Sequence, residues 1–172
     1  TLMGFVLLSD EGLRAMLFYL LAYYVMNLGA FLVVMIVAES TGREDLDGYR
    51  GLAWRGGIFP AVAMAIFLFS LTGLPPFVGF IGKFYLFAAV VKSEFYLLAI
   101  VGVLNSVVSL YYYARIVRTM FLDFPEGNEA KVTVDAYEGG LVAALACATI
   151  VFGLYWTPLI EFAGRSIRFF QG

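Results

Sequence analysis

The sequence lacks histidine altogether and contains a single cysteine in 172 residues. Without imidazole groups, histidine-ligated haem, histidine zinc sites and histidine-based catalytic triads are excluded. Cys147 cannot form an internal disulfide bond or hold an iron–sulfur cluster by itself, and its apolar neighbours indicate a packing residue. No glycine motif for phosphate binding occurs either. We therefore expect no catalytic, metal or cofactor site in this chain.

Charged residues are also scarce. They make up 14% of the chain against 62% hydrophobic residues, whereas soluble domains are about half apolar and one quarter charged. This composition predicts an integral membrane protein surrounded by the lipid bilayer. The net charge of −2 gives no field that would attract a polyanion, so we expect no nucleic-acid partner.

Long apolar stretches predict an all-α, polytopic helix bundle that forms a single membrane domain over residues 1–172. At about 20 residues for each crossing, four spans are expected, at about residues 12–38, 58–91, 95–120 and 139–156. The polar segment 39–57 is interpreted as a solvated connector. Because Thr1 is not an initiator methionine and the first apolar stretch is too long for a cleaved signal, we expect a C-terminal piece of a longer chain.

The second apolar stretch is interrupted at Gly73-Leu74-Pro75-Pro76. Proline removes a backbone donor and disfavours helix at the residue before it, so the helix must break at Gly73, Pro75 and Pro76. Each half is too short to cross the membrane alone, which favours one discontinuous span. A hairpin of two re-entrant helices remains an alternative. The positive-inside rule favours a cytoplasmic 39–57 loop with either topology, so it does not separate the two.

Lys83 is an isolated ammonium inside this apolar stretch. A lysine near the bilayer centre costs about 2.5 to 3.5 kcal/mol on insertion scales, so such residues usually face a wet interior and mark an ion or proton path. Snorkelling is disfavoured because Lys92, at the end of the stretch, lies about 13 Å further along the helix. Lysine can release its proton, which arginine effectively cannot. We therefore predict that Lys83 is a buried proton relay.

Polar side chains at helical spacing on the neighbouring spans are candidates for lining a water chain to this lysine. They are Tyr23 and Asn27 (after Tyr19) on the first span, Asn105 and Ser109 (with Gly102 and Ser106) on the third, and Ser70 and Thr72 beside the break. The alternative is structural, because small and polar residues also pack membrane helices together, and Ser or Thr can bond back to the helix.

Three motifs closely resemble the antiporter-like membrane subunits of proton-pumping NADH:quinone oxidoreductase, respiratory complex I. They are GLPP at 73–76 continuing to GFIGKFYL at 79–86, DLDGYRGL at 45–52, and LYYYAR at 110–115. Glycine before the lysine and Phe-Tyr after it are most similar to the subunit N family, called subunit 2 in mitochondria and chloroplasts. The resemblance covers essentially the whole chain and corresponds to the last four of fourteen transmembrane helices.

The resemblance implies that Lys83 matches a lysine that passes protons across the membrane from a discontinuous helix. It implies a proton half-channel in a multi-pass subunit of the bacterial plasma membrane, with other membrane subunits as partners and protons as cargo. NADH, FMN, iron–sulfur clusters and quinone are expected on other subunits. Two alternatives stay open: a subunit of a multisubunit cation/proton antiporter, and a structural docking bundle with no transport role.

Overall fold

Helices make up most of the described part of the chain. The computed structural model describes residues 10–124 and 130–163. It contains the helices α1 (Asp10–Thr41), α2 (Ile58–Thr72), α3 (Val78–Lys92), α4 (Tyr96–Phe121) and α5 (Ala136–Leu154), with short 3-10 helices at Leu46–Tyr49 and Leu52–Trp54. Residues 157–163 are helical as well. No strand occurs within the described residues, which confirms the all-α prediction.

Within residues 10–124 and 130–163, three helices are long and apolar enough to cross a membrane. They are Gly12–Thr41 in α1, all of α4 and all of α5, and they coincide with the first, third and fourth predicted spans. The predicted second span contains instead two helices of 15 residues each, α2 and α3. Each is shorter than the roughly 20 residues that a crossing needs.

The backbone leaves the helix between Thr72 and Val78, so the predicted interruption lies inside this gap. Gly73 closes α2 in the left-handed conformation, with φ of +88°, and its amide donates to the carbonyls of Phe69 and Ser70. Leu74 N–H also donates to Phe69 O, at 3.0 Å. Glycine reaches this conformation without a steric penalty, which explains why α2 can end abruptly here.

α2 and α3 contact α1 one after the other along its length. Phe67 of α2 lies directly over Gly29, in the second half of α1. Gly82 of α3 faces Tyr19, in the first half, and Lys92 at the end of α3 shares a cavity with Arg14. α2 and α3 therefore pack on successive parts of α1. The core between these helices includes Phe67 and Met26, both fully buried.

The segment between α1 and α2 is folded, and its interpretation as a solvated connector is wrong for much of its length. Leu52 is fully buried, and Trp54 donates its indole N–H to Phe121 O at the end of α4, at 2.9 Å. The guanidinium of Arg55 is buried and donates to the carbonyls of Gly48 and Ala130. Hydrogen bonds to backbone carbonyls, which the sequence pattern does not reveal, thus attach this segment to the end of α4 and to the residues that precede α5.

The acid-rich turn just before Leu46 remains at the surface. Arg43 donates to Asp45 through two nitrogens, at 3.0 and 3.1 Å, and this pairing holds the pKa of the Asp45 carboxyl below its usual value. The same carboxylate accepts the Gly48 N–H at 3.1 Å and caps the first 3-10 helix. The Asp45 side chain is exposed, so its role is local and structural.

Gly153→Ala is expected to destabilise the fold, whereas Gly140→Ala on the same helix is not. A methyl group at Gly153 would collide with Pro76 O and lie 2.6 Å from Val78 N, backbone atoms that cannot turn aside. Overpacking of this kind costs about 1 to 3 kcal/mol. Gly140 has no atom within 4 Å of the added position, and alanine there should gain up to about 1 kcal/mol of helix propensity. Thermal unfolding of the two purified variants, in the full-length protein, measures the difference. Equal melting temperatures would contradict the close approach of α5 to the interruption.

Candidate functional site

Lys83 lies in the second turn of α3 and reaches back to the end of α2. Its Nζ donates to Thr72 O at 2.8 Å and to the hydroxyl of Ser106, on α4, at 3.2 Å. No ion pair with an acid is formed by Lys83 within residues 10–124 and 130–163. Lys83 is of intermediate exposure, so the predicted burial of this lysine is not confirmed.

The two prolines explain why the Thr72 carbonyl is available to Lys83. In a continuous helix, the N–H groups of residues 75 and 76 would bond to the carbonyls of Leu71 and Thr72. Both positions are proline and have no N–H to donate. The carbonyl end of a helix also carries a partial negative charge, which favours a cation there. The interruption and the lysine thus complement each other directly, through one hydrogen bond.

Ser70 and Thr72 hold the interruption together in different ways. The Ser70 hydroxyl accepts the backbone N–H of Gly79 at 3.1 Å, and any Cβ at Gly79 would collide with Ser70 O. The first turn of α3 therefore lies directly against the last turn of α2. The Thr72 hydroxyl donates to Leu68 O in its own helix, at 2.9 Å, so only its carbonyl faces the lysine.

Two cavities meet at the contact between Lys83 and Ser106. The first, called here the polar cavity, is about 240 Å³ in volume and has room for several water molecules. Besides Lys83 and Ser106 it is lined by Tyr19, Leu86, Phe87, Gly102, Asn105 and Ser109. The second, called the aromatic cavity, is about 300 Å³ in volume. Besides Lys83 and Ser106 it is lined by Thr72, Gly73, Phe80, Phe84, Phe87, Val103, Val107 and Leu110. The amine therefore lies between two spaces of different character.

The predicted polar residues are only partly brought together. Asn105 and Ser109 line the polar cavity with Lys83, and the Ser109 hydroxyl bonds back to Asn105 O at 2.9 Å. Tyr23 and Asn27 line neither cavity: Asn27 donates to Tyr23 O at 2.8 Å, and the Tyr23 ring stacks on Tyr19 at 6.0 Å. On α1 it is thus Tyr19 that reaches the polar cavity.

Ser106 is the functional candidate that sequence reasoning undervalued. In the sequence it is only a neighbour of the Asn105–Ser109 stripe, yet its hydroxyl is the side-chain partner of Lys83. Its position four residues after Gly102, a small residue at a helix contact, was the available signal.

Comparison with known protein families and curated proteins identifies relatives that match most or all of the chain. The family described as "NADH:quinone oxidoreductase/Mrp antiporter, TM" matches residues 1–109. NADH-quinone oxidoreductase subunit N of Anaeromyxobacter sp. (strain Fw109-5) is 47% identical over all of this chain and 35% of its own length. NADH-quinone oxidoreductase subunit N 2 of Sorangium cellulosum (strain So ce56) is 50% identical over 96% of this chain and 33% of its own. The chain spans about a third of the length of these curated relatives.

Solved structures share the fold. A chain of the Mrp complex from Dietzia sp. DQ12-45-1b superposes with a TM-score of 0.84 at 24% identity, covering 94% of this chain and 38% of that one. A chain of respiratory complex I from Thermus thermophilus superposes with a TM-score of 0.72 at 23% identity, covering 88% and 36%. The resemblance inferred from the motifs around Lys83 is confirmed by the curated relatives, and this chain belongs to the NADH:quinone oxidoreductase/Mrp antiporter family of membrane proteins.

Proposed function

We propose that this chain forms part of a proton half-channel in the membrane arm of an NADH:quinone oxidoreductase, with Lys83 as the proton relay. The observation that carries the proposal is the position of its amine, held on the freed carbonyl of Thr72 and bordering two cavities. Transporters place ions at such helix interruptions, where backbone groups and water meet. The subunit N names of the curated relatives support the choice of complex.

In this proposal α2 and α3 form one interrupted crossing, and the chain crosses the membrane four times. The support is the order of contacts along α1, from Gly29 with Phe67, through Tyr19 with Gly82, to Arg14 with Lys92. A re-entrant hairpin would instead return α3 toward the end of α1 where α2 begins. With a single crossing, Lys83 lies near the middle of the bilayer, beside Ser106 in the interior of α4.

Water in the polar cavity would carry protons to and from Lys83. Asn105, Ser109 and Tyr19 supply polar groups on its walls, and Tyr23 and Asn27 would extend the path along α1. Ser70 would act by holding the two helices together at the interruption, and Thr72 by accepting the amine of Lys83 with its carbonyl. Serine and asparagine suit this role because each can both donate and accept hydrogen bonds.

The surroundings we propose are lipid and the other membrane subunits of a bacterial plasma-membrane complex. Much of α4 is apolar and uncovered, as Leu97 (77% exposed) and Leu104 (60% exposed) illustrate. Surfaces of this kind face hydrocarbon or a neighbouring subunit. NADH, FMN, iron–sulfur clusters and quinone would be held by other subunits.

Lys83→Ala, made in the full-length subunit of the assembled complex, should leave quinone reduction in place and impair proton translocation. Losing a positioned proton donor slows transfer by about 10²-fold or more. Lys83→Arg should behave in the same way, because arginine keeps the charge but does not release its proton. The measurement is proton uptake into vesicles per NADH oxidised. Lys92→Ala, on the same helix but at its end, is the matched control. Unchanged translocation in Lys83→Ala would favour the structural docking role.

A cation/proton antiporter subunit is the second candidate, because the description of the matching family also names the Mrp antiporter. The two functions differ in the transported ion. We expect translocation by the full assembly to be independent of sodium and driven by quinone reduction. A sodium requirement, measured with sodium-free and sodium-loaded vesicles, would favour the antiporter.

Gly73→Ala should impair translocation, whereas Gly42→Ala should only lower stability. Both glycines have positive φ, +88° and +67°, so alanine at either costs about 1 to 2 kcal/mol. Only at Gly73 would the new methyl group lie 2.8 Å from Lys83 Cδ and displace the lysine stem. Gly42 has nothing within 4 Å. Melting temperature and proton uptake per NADH, measured on both variants, separate the two effects. Identical proton uptake in the two variants would contradict the prediction that translocation depends on the position of the Lys83 side chain.

A further inference from the structure

Ser106 is the side-chain group that α4 places on the Lys83 amine. Its hydroxyl lies 3.2 Å from Lys83 Nζ and 3.1 Å from Gly102 O, one turn earlier in the same helix. Gly102 is buried where the helices meet, whereas Val103 and Leu104 beside it are exposed. The serine is therefore on the inner edge of an otherwise largely uncovered helix.

A hydroxyl group can serve both protonation states of an amine. Toward an ammonium it acts as an acceptor, as in the present geometry, and toward a neutral amine it can donate to the lone pair. Thr72 O can only accept, so it holds N–H groups but offers nothing to the nitrogen lone pair. Of the two partners of Lys83, Ser106 alone can adapt when the proton leaves.

The rotation of the Ser106 hydroxyl that this change requires costs little free energy. The Ser106 hydroxyl now donates to Gly102 O, but that carbonyl lies within α4 and also accepts the helical N–H of residue 106. If the hydroxyl turned to the neutral amine, Gly102 O would remain hydrogen-bonded. No buried polar group would be left unsatisfied in either state.

We propose that Ser106 is a positioning residue for Lys83, holding the amine at the boundary between the polar and the aromatic cavity in both protonation states. The inference rests on the relay role proposed for Lys83. Lys83 and Ser106 line both cavities, and the titratable groups of the described lining are Lys83 and Tyr19. The proton passes between Lys83 and water in the polar cavity, and Ser106 neither gains nor loses one. Its role is to keep the amine within reach of that water.

The test compares three variants in the full-length subunit of the assembled complex: Ser106→Ala, Ser106→Thr and Thr149→Val. Ser106→Ala should lower proton uptake per NADH oxidised by roughly tenfold, the factor expected for one lost hydrogen bond to a charged group. Ser106→Thr should restore uptake because it returns the hydroxyl. Thr149→Val removes a buried hydroxyl of α5 that bonds back to Leu145 O at 2.9 Å in the same manner, away from both cavities, and should leave uptake unchanged.

The outcomes distinguish this inference from the relay on which it rests. Normal uptake in Ser106→Ala, with uptake impaired in Lys83→Ala, would overturn the role of Ser106 alone. Normal uptake in Lys83→Ala would overturn the relay itself. Equal losses in Ser106→Ala and Ser106→Thr, or in Ser106→Ala and Thr149→Val, would show a packing effect and overturn the positioning role. Should Ser106→Ala not assemble, Ser106→Cys provides the same comparison, since a thiol of similar size is a weak hydrogen-bonding group.

Discussion

The hydrogen bond from Lys83 to the carbonyl of Thr72 is the interaction on which this site depends. A carbonyl exposed to hydrocarbon without a partner costs several kcal/mol, and so does an ammonium. Here the prolines leave the carbonyl without its helical donor, and the lysine supplies one at 2.8 Å. Each group thereby reduces the penalty of the other, which makes an interrupted helix and an ionisable side chain compatible at the same depth.

Glycine is the residue that lets the backbones converge on this point. Gly79 brings α3 onto the last turn of α2, and Gly153 brings α5 onto the carbonyl of Pro76. Gly82 in turn lies against Phe18 and Tyr19 of α1. Small residues at helix contacts are the usual means of close packing in membranes, where no water drives helices together. The interruption is consequently held from three sides by packing, in addition to the Ser70 bond to Gly79.

The two cavities beside Lys83 differ in the polarity of their linings. On one side Asn105, Ser109 and Tyr19 offer polar groups, and on the other Phe80 and Phe84 present aromatic rings. The amine between them therefore has polar groups on one side and mainly apolar side chains on the other. Ser106 lines both cavities, together with Lys83 and Phe87.

The sequence alone determined the helical class and three of the long helices, because apolar length is a local property. It also predicts an interruption at the prolines and a role for Lys83, from proline chemistry and the cost of a lone charge. The tertiary structure decided which polar residues meet the lysine. Spacing shows that Tyr19 and Tyr23, or Asn105 and Ser106, lie near one another on a helix, but not how that helix is rotated against its neighbours. That rotation selects Tyr19 over Tyr23 and puts Ser106 on the amine, because it results from packing between distant segments.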